Sequence, residues 1–312
     1  MRAARLHGPG DLRVEEVPDP VPGPGRPVIV RVEAATACGT DRKALEHGHR
    51  ILGPYPCAFG HETAGVRTDT GARVLVSDSV ACGACGPCRA GRPQICRDPD
   101  WIVGGFAEAI AAPDAALHPV PDGLAPAGAA MAEPLAAAVH ALRRAGPLPG
   151  RAGVLGGGTI GLMLARLLVL SGCEAVVADR HPERQAQARG LGAEAGPVAG
   201  LPLVFEAAGR PAAWSEAVRS AAPGGTVVLV GGCPGGGEVG LPGDALHYDE
   251  VDVRGAFHHA PGEVDEALAL LASGGVPWEA VAAPPVGLDG LRAALDAMAG
   301  GPALKPVVEP WR

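Results

Sequence analysis

The chain has 312 residues, 47% hydrophobic and only 3% aromatic, with a formal net charge of −8. That length exceeds the usual size of one domain and predicts two, each with an aliphatic core. The negative balance, with no basic stripe, excludes nucleic acid and anionic membranes as partners, and the apolar run 160–170, interrupted by Arg166, is too short to span a bilayer.

No apolar segment follows Met1–His7, so no signal-peptide pattern is visible and the chain reads as cytoplasmic. From Leu12 to Ala35, β-branched residues on both sides of a Pro/Gly cluster (Pro20 to Pro27) predict short strands. Next, Cys38-Gly39-Thr40-Asp41 and Gly60-His61-Glu62 offer a thiolate, an imidazole and a carboxylate from two short segments. Mixed sulfur, nitrogen and oxygen donors suit zinc, and three protein donors with one open position form a catalytic rather than a structural site. Asp41 to Glu46 reads as one or two helical turns, and 64–67 with 72–76 as a hairpin.

Four of the eight cysteines then fall within fifteen residues, as Cys82-x2-Cys85-x2-Cys88-x7-Cys96. In a reducing compartment such clustering points to metal rather than disulfides. Four thiolates close a tetrahedral zinc site; an iron–sulfur cluster is the competing reading, but its usual x3 spacing and following proline are replaced here by x7 and Arg97. Strand-like text resumes from Phe106 to Val120, and a helical stretch runs from Pro126 to Leu142.

Beyond 150 the pattern alternates strand and helix, which predicts a parallel sheet with crossovers. Arg151–Leu155 runs into Gly156-Gly157-Gly158-Thr159-Ile160-Gly161, an apolar helix starts inside that motif, and Ala175–Ala178 ends at Asp179, about twenty residues on. Gly156 permits the tight turn, Gly158 the approach of a pyrophosphate and Gly161 close helix packing, while the N–H groups around Thr159 and Ile160 face the phosphates. Asp179 would hold the adenosine ribose and favour NAD; Arg180 offers the alternative, a partner for the 2′-phosphate of NADP. Strands at 203–206, 226–230 and 251–257, and helices at Trp214–Ala222, Gly262–Ser273 and Leu288–Met298, complete the pattern.

Taken together, Cys38-Gly39-Thr40-Asp41, Glu46-His47-Gly48, Gly60-His61-Glu62, the four-cysteine lobe, Glu133-Pro134-Leu135, the Gly156 motif, Phe205-Glu206-x-x-Gly209 and Pro223-Gly224-Gly225-Thr226 resemble the zinc-dependent medium-chain dehydrogenase/reductase family. The likeness is greatest to its sorbitol/polyol, threonine and glucose dehydrogenases. It implies an α/β protein: a GroES-like β-rich catalytic domain over 1–133 and 259–312, and a Rossmann doubly wound parallel-sheet domain over 134–258. It also implies that Cys38, His61 and Glu62 bind the catalytic zinc with Glu133 beside it, that Asp41 orients His61, and that Lys305 reaches the cofactor pyrophosphate. Thr40 would take the alcohol proton. Where the relay often ends in a histidine this chain has Lys43, so the proton would leave through Lys43, His47, His49 or the ribose itself.

The expected function is hydride transfer between a secondary alcohol (polyol, cyclitol, sugar or amino alcohol) and NAD or NADP, with two zinc ions per chain. The alternatives are an NADPH-dependent carbonyl reductase of the same fold, and a non-catalytic zinc-stabilised scaffold. A small-molecule substrate and a homodimer or homotetramer are the expected partners. The segments following Glu62, Cys96 and Gly192 are short for the family, and the last is expected to lack its crossover helix.

Overall fold

The computed structural model describes residues 1–49, 51–233, 237–300 and 305–312. They form two compact units, one of Met1–Glu133, Val264–Gly274 and Ala282–Arg312, the other of Pro134–Glu263 and Gly275–Val281.

The first unit is rich in short strands. β1 (Arg2–Gly8), β2 (Asp11–Glu16) and β4 (Cys57–Ala58) make a small antiparallel sheet in the order β2-β1-β4. A larger sheet runs β10-β6-β5-β3-β17, built from β3 (Val28–Thr36), β5 (Glu62–Arg67), β6 (Arg73–Val76), β10 (Leu117–Pro119) and β17 (Val307–Val308), with β9 (Ala109–Ala112) also on β3. β7 (Ser79–Val80) pairs with β8 (Asp100–Trp101) at the cysteine lobe. In β3 the period of two is explicit: Val28, Val30 and Val32 are buried and Arg31 is exposed, the pattern of a sheet packed on one face. Its last residues, Ala34, Ala35 and Thr36, are all buried. The register there places Thr36 opposite Glu62 on one side and opposite Val307 on the other. One sheet end therefore gathers the entry to Cys38, the His61–Glu62 pair and the segment carrying Lys305. Helix α1 (Gly39–His47) leaves from that end.

Gly60 makes this junction possible. Its φ is +91°, and a Cβ there would lie 2.7 Å from the Phe106 ring, which packs edge-on against Phe59 at 5.1 Å between centroids. Only glycine adopts that backbone and leaves room for the aromatic pair.

The second unit is a six-stranded parallel sheet in the order β13-β12-β11-β14-β15-β16. Its strands are β11 (Arg151–Leu155), β12 (Glu174–Ala178), β13 (Glu194–Ala195), β14 (Leu201–Glu206), β15 (Ala221–Leu229) and β16 (Asp252–Gly255). This is the doubly wound Rossmann arrangement, with the strand order reversing between β11 and β14. The central strands read as continuous apolar runs (Ala175–Val177, Leu203–Phe205) because both faces are covered.

Several elements differ from their predicted extents. The helical stretch after Pro126 is broken at Met131 into α3 (Pro126–Ala130) and α4 (Ala132–Ala145), after a lobe helix α2 (Gly86–Arg89). α5 (Thr159–Leu170) fits the glycine motif, but α6 (Pro182–Gly190) was not anticipated, since its exposed, charged sequence carries almost no apolar stripe. The Trp214 helix is α7 (Pro211–Ser220), starting at a proline that suits the first turn. No helix joins β13 to β14. Residues 196–200 instead cross the sheet as an irregular strap, and Val198 lies directly on β11: a Cβ at Gly153 would be 2.3 Å from its side chain.

Candidate active site and metal centres

Cys38 is the N-cap of α1. Its Sγ accepts the Thr40 N–H at 3.2 Å, and Asp41 Oδ2 accepts the Cys38 N–H at 2.9 Å. This reciprocal capping box fixes both side chains before any metal is considered. The other Asp41 oxygen lies 3.1 Å from His61 Nδ1, which turns His61 Nε2 toward Cys38 Sγ at 3.4 Å. From ordinary zinc–sulfur and zinc–nitrogen bond lengths, two ligands of one tetrahedral ion stand about 3.6 Å apart. Sulfur and nitrogen are thus already spaced for a shared zinc, with Asp41 setting the imidazole tautomer from behind.

Glu62 and Glu133 bring oxygen donors to the same imidazole. Donor atoms of His61, Glu62 and Glu133 all lie within 4.8 Å of one another, as do those of Cys38, Asp41 and His61, so the two groups share His61. Glu133 enters on the first turn of α4 and is buried. Glu62 receives the Thr36 hydroxyl on Oε2 and the Lys305 ammonium at 2.9 Å on Oε1 and 2.7 Å on Oε2. Burial pushes the Glu62 carboxyl up to about 7; Lys305 opposes that shift and the charge of Glu133 adds to it. Burial alone would lower His61, yet Asp41 and Cys38 hold its pKa well above the usual histidine range. Burial also raises the Cys38 thiol. A thiol and three carboxyl groups crowd one imidazole and one ammonium in the interior, a local excess of negative charge that a divalent cation would neutralise.

Lys305 is buried, and its ammonium, besides meeting Glu62, donates to Ala37 O at 3.2 Å. Register puts it there: Lys305 lies two residues before Val307, which pairs with Thr36 beside Glu62. Thr40, Lys43 and His47 follow one helical face of α1 by spacing. His47 sits at the helix end with its side chain 76% exposed, 3.6 Å from Glu46, while His49 Nδ1 accepts the Ile51 N–H at 3.5 Å.

The cysteine lobe is a separate donor set. Donor sulfurs of Cys82, Cys85, Cys88 and Cys96 lie within 4.8 Å of one another, with Cys85 Sγ 3.4 Å from Cys88 Sγ and 3.9 Å from Cys96 Sγ. Sulfurs on one tetrahedral zinc stand about 3.8 Å apart. The N–H groups of Arg97 and Cys88 hold the Cys85 thiol down to about 6, whereas burial pushes Cys88 up to about 12. The Cys82 N–H donates to Cys96 Sγ at 3.3 Å. Backbone amides thus already stabilise part of the negative charge that metal binding requires.

In the second unit the glycine motif forms the turn from β11 into α5. Gly156 has φ +103°, and a Cβ there would stand 2.8 Å from Ala208 N; one at Gly161 would strike Gly156 O at 1.8 Å. At Gly158, the N-cap of α5, a Cβ meets nothing within 4 Å, and no side chain caps the helix. That open space beside unpaired N–H groups fits a pyrophosphate. Asp179 Oδ2 accepts the Gly157 N–H at 2.8 Å and Oδ1 the His181 N–H at 2.9 Å, with Arg184 at 3.4 Å. Burial would raise its carboxyl, but the two N–H groups and Arg184 prevail and hold it below the usual range. Asp179 therefore braces the glycine turn and stays ionised; the N-cap of α6 is His181. Arg180 is exposed and its Nε meets His181 Nε2 at 3.0 Å. Arg184 was missed because its only signal is its position one helical turn into an unremarkable helix.

His118 and His140 each meet a carboxylate: His118 with Asp265 at 2.7 Å in the first unit, His140 with Glu263 at 3.0 Å in the second.

Comparison with known proteins places the chain. Residues 23–122 match the alcohol dehydrogenase GroES-like domain and residues 198–273 the zinc-binding dehydrogenase family. Over 285 residues the chain is 31% identical to L-galactonate-5-dehydrogenase of Escherichia coli K12, covering 82% of each protein. It is 29% identical over 310 residues to sorbitol dehydrogenase of Bacillus subtilis 168, covering 88% of this chain and 86% of that protein. A zinc-binding dehydrogenase from Sinorhizobium meliloti 1021, solved bound to NADP, superposes with a TM-score of 0.91 at 31% identity, covering 99% of both chains. With its mixed-donor pair, four-thiol lobe and Rossmann turn, the chain belongs to the zinc-dependent, NAD(P)-linked alcohol dehydrogenases of the medium-chain family.

Proposed function

We propose that Cys38, His61, Glu62 and Glu133 hold the catalytic zinc and that Cys82, Cys85, Cys88 and Cys96 hold the structural one. The second unit would carry NAD or NADP on Gly156, Gly158, Thr159, Ile160 and Gly161. The observation that carries this reading is the 3.4 Å spacing of Cys38 Sγ and His61 Nε2, with Asp41 behind the imidazole. When bound, zinc supplies a Lewis acid for the alcohol oxygen and the nicotinamide supplies the hydride acceptor.

The chain's own residues do the rest. Asp41 fixes His61 Nδ1 and leaves Nε2 as the donor. Lys305 and Thr36 engage Glu62 on both oxygens, so Cys38, His61 and Glu133 would be the principal ligands and Glu62 the least available one. The Thr40 hydroxyl, one residue into α1, is the group assigned to take the alcohol proton, with Lys43 and His47 following along the same helical face. Asp179 orients the adenosine ribose and Arg180 flanks it.

The favoured substrates are polyols, cyclitols, sugars or amino alcohols, on the likeness to sorbitol and L-galactonate dehydrogenases. We place the protein in the cytoplasm as a homodimer or homotetramer; among the described residues no helix is long and apolar enough to cross a membrane. The test is a panel of these alcohols followed at the nicotinamide absorbance, with NAD and NADP in parallel. Turnover of a secondary alcohol that disappears in Cys38→Ser supports the reading; turnover unchanged in that variant removes it.

A further inference from the structure

Glu206 is the last residue of β14, beside the point where the strand order reverses, and its side chain is fully buried. A buried carboxylate at the carboxyl edge of a parallel sheet is costly and needs an explanation. Its Oε1 accepts the N–H groups of Ala208 and Gly209, both at 2.8 Å, while Oε2 has no hydrogen-bond partner among the described residues. Burial raises its pKa.

The turn so held, 207–209, is wedged between two others by close backbone contacts that only glycines permit. On one side lies the phosphate-binding turn, where a Cβ on Gly156 would stand 2.8 Å from Ala208 N and 3.0 Å from Ala207 C. On the other lies 231–232: a Cβ on Gly231 would meet Gly209 N at 2.2 Å and Glu206 Oε2 at 2.9 Å, and one on Gly209 (φ +66°) would meet Gly232 O at 2.9 Å. The main chain closes the same junction, since Ala207 N bonds Leu155 O at 2.8 Å and both Val230 N and Gly231 N bond Glu206 O at 2.9 Å. Trp214 Nε1 adds a bond to Gly231 O at 2.9 Å.

Three turns at the carboxyl ends of β11, β14 and β15 thus share one hub, in the region where open α/β sheets bind their ligands. We propose that Glu206 is a positioning residue for the dinucleotide: by clamping 207–209 under Gly156 it fixes the phosphate-binding turn from below, without touching the cofactor. This inference rests on the NAD(P) reading of that turn. Shortening the side chain should release the clamp, whereas an amide of equal length retains an acceptor for both N–H groups.

The experiment compares wild type, Glu206→Asp and Glu206→Gln by titrating NADH and NADPH fluorescence, with zinc content, thermal melting and alcohol kinetics at saturating cofactor. Glu206→Asp should raise the cofactor Kd and the cofactor KM together by about tenfold, leaving zinc content and saturating kcat near wild type. Glu206→Gln should stay within about twofold. Glu206→Asp binding as tightly as wild type, or Glu206→Gln losing as much as Glu206→Asp, would overturn the assignment; so would a loss confined to kcat. A wild-type protein that binds neither nucleotide would instead remove the dinucleotide reading itself. If Glu206→Asp does not fold, the Glu206→Gln result alone decides: Kd within twofold supports the clamp, a larger loss rejects it.

Discussion

The two candidate zinc sites differ in how they are built. The cysteine lobe draws all four donor sulfurs from one fifteen-residue segment, and its charge is met by backbone N–H groups of that segment and the next residue. The Cys38–His61 site draws on residues from 36 to 305, and its Glu62 carboxylate is met by the buried Lys305 and by Thr36 at the end of β3. The first can form wherever its local chain can wrap. The second exists only when β3, β5 and β17 are in register. A local site is a stability element; an assembled one reports the whole unit.

The largest effects should fall on the assembled site. Cys38→Ser and His61→Ala are each expected to lower alcohol turnover by roughly a thousandfold or more while NADH still binds, since a missing ligand removes the Lewis acid and leaves the second unit intact. Metal analysis should return one zinc per chain in these variants, and two would blur the distinction between the sets. Lys305→Met comes next. Breaking one side of a buried ion pair costs about 3–5 kcal/mol, so the melting temperature of the metal-free protein should drop, and Lys305→Met combined with Glu62→Gln should recover much of it. A double variant as unstable as the single would show that the pair is not coupled.

In the lobe, Cys88→Ser should release the other zinc and make 82–96 sensitive to protease while turnover per remaining zinc persists. Turnover lost in proportion would mean that the lobe is not local. Asp179 gives the smallest effect and carries the comparison to the cofactor unit. Its folded pKa is depressed, so its stabilisation is fully present above the usual aspartate value near pH 4 and is lost as pH falls through the folded value. Asp179→Asn should flatten the acid limb of a stability–pH curve below about pH 4, and an unchanged limb would mean the Gly157 and His181 bonds do not favour the ionised form.

This contrast also explains what could be read in the chain. The lobe spacing, the glycine motif and the Asp179 offset are local signals, and each appears in the structure as a compact arrangement of the same residues. Cys38 and His61 were legible as zinc-type donors, though only register explains why they meet. The Lys305–Glu62 contact was not legible for the same reason: sequence shows a lone lysine near the C-terminus, and only the pairing of Val307 with Thr36 turns it toward Glu62. Helix α6 escaped because its face is mostly polar, so periodicity had nothing to register. Arg184 escaped because its partner is a carboxylate from another element, and Glu206 and Gly209 stood out only as a motif, because the backbone groups that make them a hub leave no trace in the sequence.

The strap over Gly153 has an engineering consequence. A helical crossing satisfies its own amides, but 196–200 has too few residues for a stable helix of its own, so its hold on the sheet rests heavily on one buried valine seated where β11 has no side chain. Replacing Gly153 with alanine should lift that crossing and loosen the cofactor unit locally. Conversely, the glycines at 196 and 200 mark a splice point where a longer segment could be grafted without altering any strand pairing.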